Sequence, residues 1–293
     1  MERFKEEIIS RLESGGITPE EAYSLFFEGG SLADPEDSGQ DRRKVGDAGD
    51  GDIAIIGFAC RFPGASDAEK LWILLKEGKC SVGEVPSGRW RMDEALSDEG
   101  MNPAGPYCRQ GGFIEDIEGF AADFFGLSVE EAEAIDPQQR HLLETAYHTF
   151  EHAGYSREEL WGSGTGVFVG CRAGNYHPDK PQKTDKAWIR AKLTGTIGNF
   201  NAARISDYFN LKGPSLVFDT ACSSSLVSVH YACKALRDGE CGMALAGGVE
   251  LKVHADTFVS LNLAKALSPD GTCHVFDKRA NGFVPGEGVG AVL

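Results

Sequence analysis

Apolar residues at helical spacing open the chain. Phe4, Ile8, Ile9 and Leu12 share one helical face, and Gly15-Gly16 closes that helix. Thr18-Pro19-Glu20-Glu21 then reads as a second helix start, with a cap, a proline at the first position and acids in the first turn. Ala22, Leu25 and Phe26 carry it to Gly29. From 29 to 51 almost nothing is apolar, and Gly, Ser, Asp, Pro and charge dominate. The pattern predicts a helical leader over 1–28, a flexible linker over 29–51 and a main domain over 52–293. The leader is either a partly ordered extension or a docking or inter-domain element.

In the main domain short apolar runs alternate with helical periodicity. Ile53-Ala54-Ile55-Ile56-Gly57 reads as a strand. Ser66 and Glu69 form a capping box for a helix with Trp72 and Leu75 on its apolar face, ended by Gly78. Residues 81–112, with Pro86, Gly88, Pro103, Gly105 and Pro106, read as irregular. Ser128 with Glu131, and Asp136 with Gln139 around Pro137, give two more capping boxes, the second opening a helix that reaches about Ala153 and stops at Gly154. Ser156 and Glu159 suggest a further short turn of helix.

Val167-Phe168-Val169 is a strand, 171–187 an exposed loop, and Ile197 to about Phe209 a helix. After the Gly213-Pro214 turn, Leu216, Val217 and Phe218 read as a short buried strand. It breaks at Asp219-Thr220-Ala221, and a helix runs from just past Cys222 to Arg237 before Gly239. Ala244-Leu245-Ala246 and Val289 to Leu293 complete the strands, with Pro269-Asp270-Gly271 a turn between them. Alternating strands and helices predict an α/β architecture with a mixed, largely buried sheet. The last apolar strand has no stop signal after it, and the domain is expected to be truncated there or continued by another polypeptide.

Charge and cysteine usage narrow the function class. A net charge of −16 over 293 residues argues against nucleic acid and against charge-driven binding to anionic lipid. No apolar run is long enough to span a membrane, and the charged start from Met1 to Glu7 is unlike a signal peptide. Eight scattered cysteines without a Cys-x-x-Cys pair indicate free thiols in a reducing, cytoplasmic setting.

One of those thiols stands apart. Cys222 falls at a strand-to-helix turn between small residues, where a helix N-terminus favours thiolate and a substrate has room to approach. The other seven read as small buried hydrophobes. His148 and His152, four apart with Glu144 and Glu151 nearby, lack the further ligands a metal site needs, so no metal is expected. Gly286-Glu287-Gly288-Val289-Gly290 and Gly162-Ser163-Gly164-Thr165-Gly166 precede strands rather than helices, which rules out the dinucleotide geometry. None of the seven histidines sits in a flank that suggests a base for Cys222; His230 lies more than two turns along the same helix.

Asp219-Thr220-Ala221-Cys222-Ser223-Ser224-Ser225 resembles the active-site signature of β-ketoacyl synthases, in the form found in modular polyketide synthases. Ile53 to Gly57 with Cys60-Arg61-Phe62-Pro63-Gly64, Phe124 to Ser128, Asp136 to Arg140, Ala246 to Val249, Lys265 to Ser268, and Asp277 through Gly288 are similar to further family segments, in family order. The resemblance covers about Asp52 to Leu293. It implies a thiolase-like layered fold of two similar α/β halves, of which this chain is the N-terminal half only, preceded by the short helical leader. Residues 2–29 also resemble segments that precede synthase domains in bacterial assembly lines.

By that resemblance Cys222 is the nucleophile that takes an acyl chain from the phosphopantetheine of an acyl carrier protein. Its backbone N–H contributes to an oxyanion hole, and a malonyl-type thioester then condenses with the acyl group. Asp219, Thr220, Ala221, Ser223 and Glu287 are the residues expected to support the site. No cofactor is expected to be bound. The implied partners are the carrier protein, other synthase domains and, for a complete domain, a second copy as homodimer. The family's catalytic histidines lie in His-Gly-Thr-Gly-Thr and Asn-x-Gly-His motifs, and neither occurs here. The isolated chain is therefore expected not to condense and to be poorly soluble. The rival readings are a non-catalytic scaffold that binds carrier protein and a coenzyme-A-linked thiolase relative.

Overall fold

The computed structural model describes residues 11, 16–17, 51–95, 106–172, 176–178 and 186–293. The predicted leader helices and most of the linker lie outside the described residues, as does much of the 171–187 loop. The chain divides into two compact units, Met1–Asp50 and Gly51–Leu293.

Within the second unit the elements run β1 (Phe58–Arg61), α1 (Ala68–Lys76), β2 (Val82–Glu84), α2 (Met92–Ala95), β3 (Gln110–Gly112), α3 (Val129–Glu133), α4 (Pro137–His152) and α5 (Arg157–Leu160). There follow β4 (Gly166–Cys171), α6 (Lys186–Thr196), α7 (Phe200–Tyr208), β5 (Ser215–Phe218), a 3₁₀ turn (Ala221–Ser223), α8 (Ser224–Arg237), β6 (Ala244–Glu250), α9 (Asp256–Leu263) and β7 (Gly288–Val292). Five strands form one sheet in the order β1-β7-β6-β4-β5. β5 and β6 run parallel to β4, whereas β7 is antiparallel to both its neighbours, β6 and β1. β2 and β3 make a separate antiparallel pair.

β4 shows how the core is divided. Val167, Val169 and Cys171 face one side, where Leu142, Leu143 and Phe150 of α4 and Ala202 and Ile205 of α7 cover them. Phe168 faces the other side, against Ala232 and Ala235 of α8. A strand covered on both faces needs apolar residues at every position rather than alternation, and that is the pattern β4 carries. On the α8 side, glycines let the helix approach closely. A methyl group on Gly170 would sit 2.5 Å from both the Ser224 carbonyl carbon and the Ser225 amide nitrogen, and one on Gly248 would sit 2.9 Å from Ser225 Cβ.

Several expectations need correction. The first strand is Phe58–Arg61 rather than Ile53–Gly57. The register pairs Phe58 with Val292, so the ladder reaches back only to Ile56, whose N–H donates to Leu293 O at 2.8 Å. α1 is capped by Asp67, not Ser66. The Asp67 carboxylate accepts from Lys70 N, while the Ser66 hydroxyl donates to Asp67. Trp72, Ile73 and Leu75 on α1 are exposed rather than buried. The second expected capping box does not form, although Asp136 still caps the helix and its N–H donates to Gly195 O at 2.8 Å. Asp136 accepts from Gln138 N, and the Gln139 amide instead donates to the carbonyls of Thr194, Gly195 and Ile197, tying α4 to the end of α6.

β5 is not buried, because it is an edge strand bonded only to β4, and Leu216 is exposed. The stretch read as irregular contains β2, α2 and β3. The capping box at Ser128 forms as expected, the short helix expected at Ser156 forms and carries a capping box of its own, and Gly78, Gly154 and Gly239 follow helix ends with positive φ.

Gly170→Ala should push α8 off the sheet. Overpacking of this kind costs about 1–3 kcal/mol, here against backbone that cannot rotate away. Urea unfolding should show a lower midpoint for the variant; an unchanged midpoint would contradict the close contact.

Candidate active site

The turn between β5 and α8 is built from its own polar groups. Asp219 Oδ1 accepts from Ala221 N at 3.2 Å, bending the chain as it leaves the strand. The Ser223 hydroxyl donates to Thr220 O at 2.9 Å and lies 3.0 Å from Thr220 Oγ1. The Ser224 hydroxyl accepts from Thr220 N–H at 2.9 Å and donates to Ala221 O at 2.7 Å. Between these bonds Ala221 is held at φ 55°, a left-handed conformation that costs a residue with a Cβ about 1–2 kcal/mol. Cys222 is the next residue, in the middle of the 3₁₀ turn, and it is exposed as a free thiol.

α8 begins two residues later. Its capping position, Ser223, makes no side-chain cap, so no capping side chain satisfies the first amides of this helix. The helix is fixed from below by Ser228, whose hydroxyl lies 3.0 Å from Gly247 O and 2.6 Å from Ser225 O. A nucleophile on such a turn is lifted clear of the sheet edge and presented at the head of a helix.

Of the residues expected to support the site, Asp219, Thr220, Ala221 and Ser223 are brought together around Cys222 in this one turn. Glu287 is placed elsewhere. Its side chain is fully buried at the start of β7, where it pairs with Arg89 at 2.7 Å. It also accepts from the backbone N–H groups of Ile114 and Lys252, both at 2.8 Å. Among the described residues no hydrogen bond joins Glu287 to the Cys222 turn. Ser224 was missed by sequence reasoning. The signal was there, since a serine in the first turn of a helix commonly bonds backbone three or four residues back.

The other seven thiols are not all buried as expected: Cys80 and Cys273 are exposed like Cys222, and Cys60 and Cys233 are partly buried. Cys108, Cys171 and Cys241 are buried, and burial pushes all three thiols above their ordinary range, Cys171 most strongly. Cys60 is half-buried and shifted upward for the same reason. Such thiols stay protonated and unreactive. Among the described residues no histidine ring is hydrogen-bonded to Cys222. His141 lies between Arg61 Nη1 and Ile117 O, and His148 pairs with Glu151. No group of three or more His, Cys, Asp or Glu side chains among the described residues is arranged to hold a metal. A groove of about 850 Å³ lies along β1 and α4, lined in part by Cys60, Arg61, Glu144 and His148. It includes no residue of the turn, so size alone does not mark the chemistry. No helix among the described residues is long and apolar enough to cross a membrane.

Comparison with known proteins gives this turn its context. The family profile for the β-ketoacyl synthase N-terminal domain matches residues 50–293. The chain belongs to the β-ketoacyl synthase family. Polyketide synthase PksM of Bacillus subtilis is 42% identical over 275 residues, which is 94% of this chain and 6% of that protein. The highly reducing polyketide synthase verA of Penicillium polonicum is 44% identical over 82% of this chain and 9% of its own length. The chain thus spans only a small part of each of these relatives.

Two solved ketosynthases superpose on it at 40% identity. The ketosynthase from module 6 of the bacillaene synthase of Bacillus subtilis, a cysteine-to-serine variant, does so with a TM-score of 0.72. The oxazolomycin ketosynthase domain of Streptomyces albus does so with a TM-score of 0.71. The fold is therefore the thiolase-like α/β fold of ketosynthase domains. The match takes in 82% and 81% of this chain, and 39% and 41% of those two structures.

In this family member the Arg89–Glu287 pair is a buried ion pair, and removal of one partner leaves an uncompensated charge. Arg89→Ala should cost about 3–5 kcal/mol. Lys234→Ala, which breaks the exposed Lys234–Asp238 pair, should leave stability almost unchanged. Denaturant titrations of the two variants side by side check the contrast, and equal losses would show that Glu287 is not the hub its contacts describe.

Proposed function

We propose that this chain carries the acyl-accepting nucleophile of a polyketide-type ketosynthase, with Cys222 as that residue. The observation that carries the reading is the turn itself: an exposed thiol directly after a left-handed alanine, at the head of a helix seated on glycines. The Cys222 sulfur attacks the carbonyl carbon of an acyl thioester on a carrier protein's phosphopantetheine arm. The new C–S bond forms to Cys222, the old one breaks, and the pantetheine sulfur leaves with the proton that Cys222 gave up. The negative oxygen formed on the way is met by the Cys222 backbone N–H.

Chain extension is the second step. A malonyl-type thioester loses CO₂, and the electron pair of the broken C–C bond forms a new bond to the acyl carbon. Cys222 sulfur is expelled, and the product is a β-ketoacyl thioester. In the family this step draws on two histidines whose motifs do not occur in this sequence. We therefore assign acyl transfer to this chain, and condensation to the chain together with a complement that carries those histidines. A carrier protein, other synthase domains and a second copy in a homodimer are the partners this reading implies, in the cytoplasm.

The purified chain should be incubated with an acyl-pantetheine thioester and mapped by mass spectrometry. One acyl group is expected on the peptide containing Cys222 and none on that peptide in Cys222→Ala. With malonyl-pantetheine added, no β-ketoacyl product is expected. Acylation spread evenly over the cysteines would overturn the assignment, and carrier-protein binding without acylation would favour the scaffold reading.

A further inference from the structure

We infer that Ser224 is a positioning residue for Cys222: its hydroxyl locks the turn so that the thiol meets an acyl carbonyl in a single orientation. This rests on Cys222 being the acyl acceptor. Two observations carry it, and they are independent of each other.

The first is the hydroxyl's bonding. It accepts from Thr220 N–H and donates to Ala221 O, so one oxygen holds the backbone on both sides of the peptide that leads into Ala221. Ala221 pays a conformational cost at φ 55°, and such strain persists only where surrounding bonds over-determine it. Asp219 supplies one bond, from the strand side. Ser224 supplies two, from the helix side. The residue is nearly out of solvent, at 7% exposure, so water is a poor substitute for the lost hydroxyl.

The second is where Ser224 is anchored. Its backbone lies directly over Gly170 of β4, where a methyl group would come within 2.5 Å of the Ser224 carbonyl carbon. The helix end of the clamp therefore cannot drift. The strand end is tied into the sheet through β5, paired with β4 from Ser215 to Phe218. With both ends fixed, the hydroxyl determines the path from Thr220 to Ser224, and Cys222 is the middle of the three residues between them. Ser223, by contrast, bonds only to Thr220 and is exposed, so it adds to the turn without bracing Ala221.

Acyl transfer and simple alkylation respond differently to orientation. Iodoacetamide needs only an accessible thiolate. A thioester needs the sulfur and the oxyanion donor on the correct sides of one carbonyl. The test measures both rates at Cys222 on the full chain, using an acyl-pantetheine thioester and iodoacetamide, and takes their ratio. Ser224→Ala should lower the ratio about tenfold or more, and Ser224→Thr, which keeps the hydroxyl, should restore most of it. A purely structural role would lower the melting temperature and leave the ratio unchanged, and that result would overturn the inference.

Should Ser224→Ala not fold, the comparison moves to the background of Ala221→Gly, where glycine takes the left-handed position without strain. Ala221→Gly alone serves as the reference, and adding Ser224→Ala should lower the ratio about tenfold or more relative to it. If that double variant keeps the ratio, or does not fold either, the inference fails. Failure of the parent reading is separate, because it would appear as no acylation of the wild-type chain at all.

Discussion

The close seating of α8 on the sheet is the constraint on which the rest depends. Helix and strand approach closely enough that Gly170 has no room for a methyl group, and Gly248 has little more. That distance decides the composition of both surfaces. The helix must offer Ser224, Ser225 and Ser228 along the contact, and the strands must offer glycine. Glycine weakens a strand by about 0.5–1 kcal/mol relative to alanine, a cost offset here by burial of β4 on both faces. The buried serine is satisfied as well, since the Ser228 hydroxyl bonds the Gly247 carbonyl of the sheet beneath it. The consequence for function is that the head of α8, where Cys222 stands, is located by backbone contact. Side-chain rotamers have little freedom to move it.

Much of this was legible in the chain. The helix after Cys222 carries an apolar face and a glycine stop, and the helices at Pro137 and Ser156 add side-chain caps at Asp136 and Ser156. What was not legible depended on partners distant in sequence. The Ile53–Gly57 run has a stronger strand pattern than Phe58–Arg61, yet the register with β7 decides which residues are paired. β5 is as apolar as a core strand, and only sheet order shows that it is an edge. α9 has no side-chain cap at Ala255 and so offers no start signal. Gln139 occupies a capping-box position, but three carbonyls near the end of α6 bind its amide instead.

The same distinction applies within the site. Asp219, Thr220, Ala221 and Ser223 act through neighbours one to three residues away, so proximity in sequence was enough to group them with Cys222. Ser224 acts locally too, but its importance comes from Gly170, more than fifty positions earlier in the chain. A run of three serines does not reveal which hydroxyl is aimed at the turn and which at the sheet. The structure separates them: Ser224 braces the turn, and Ser225 sits over Gly248.

Glu287 shows a different kind of support. It touches nothing in the turn, yet it fixes where β7 begins by drawing together Arg89, Ile114 and Lys252. β7 pairs along β6, with Gly288 opposite Glu250 and Gly290 opposite Gly248. Gly248 is the residue on which Ser225 rests. Any effect of Glu287 on Cys222 therefore passes through the register of two strands and the seat of one helix. It acts as a displacement of the scaffold, not as a charge. The field of a carboxylate neutralised by Arg89 would in any case reach the thiol only weakly. A buried ion pair ahead of β7 thus acts on the sheet, through Ile114 and Lys252, while a hydroxyl at the turn acts on the chain that leads into Cys222.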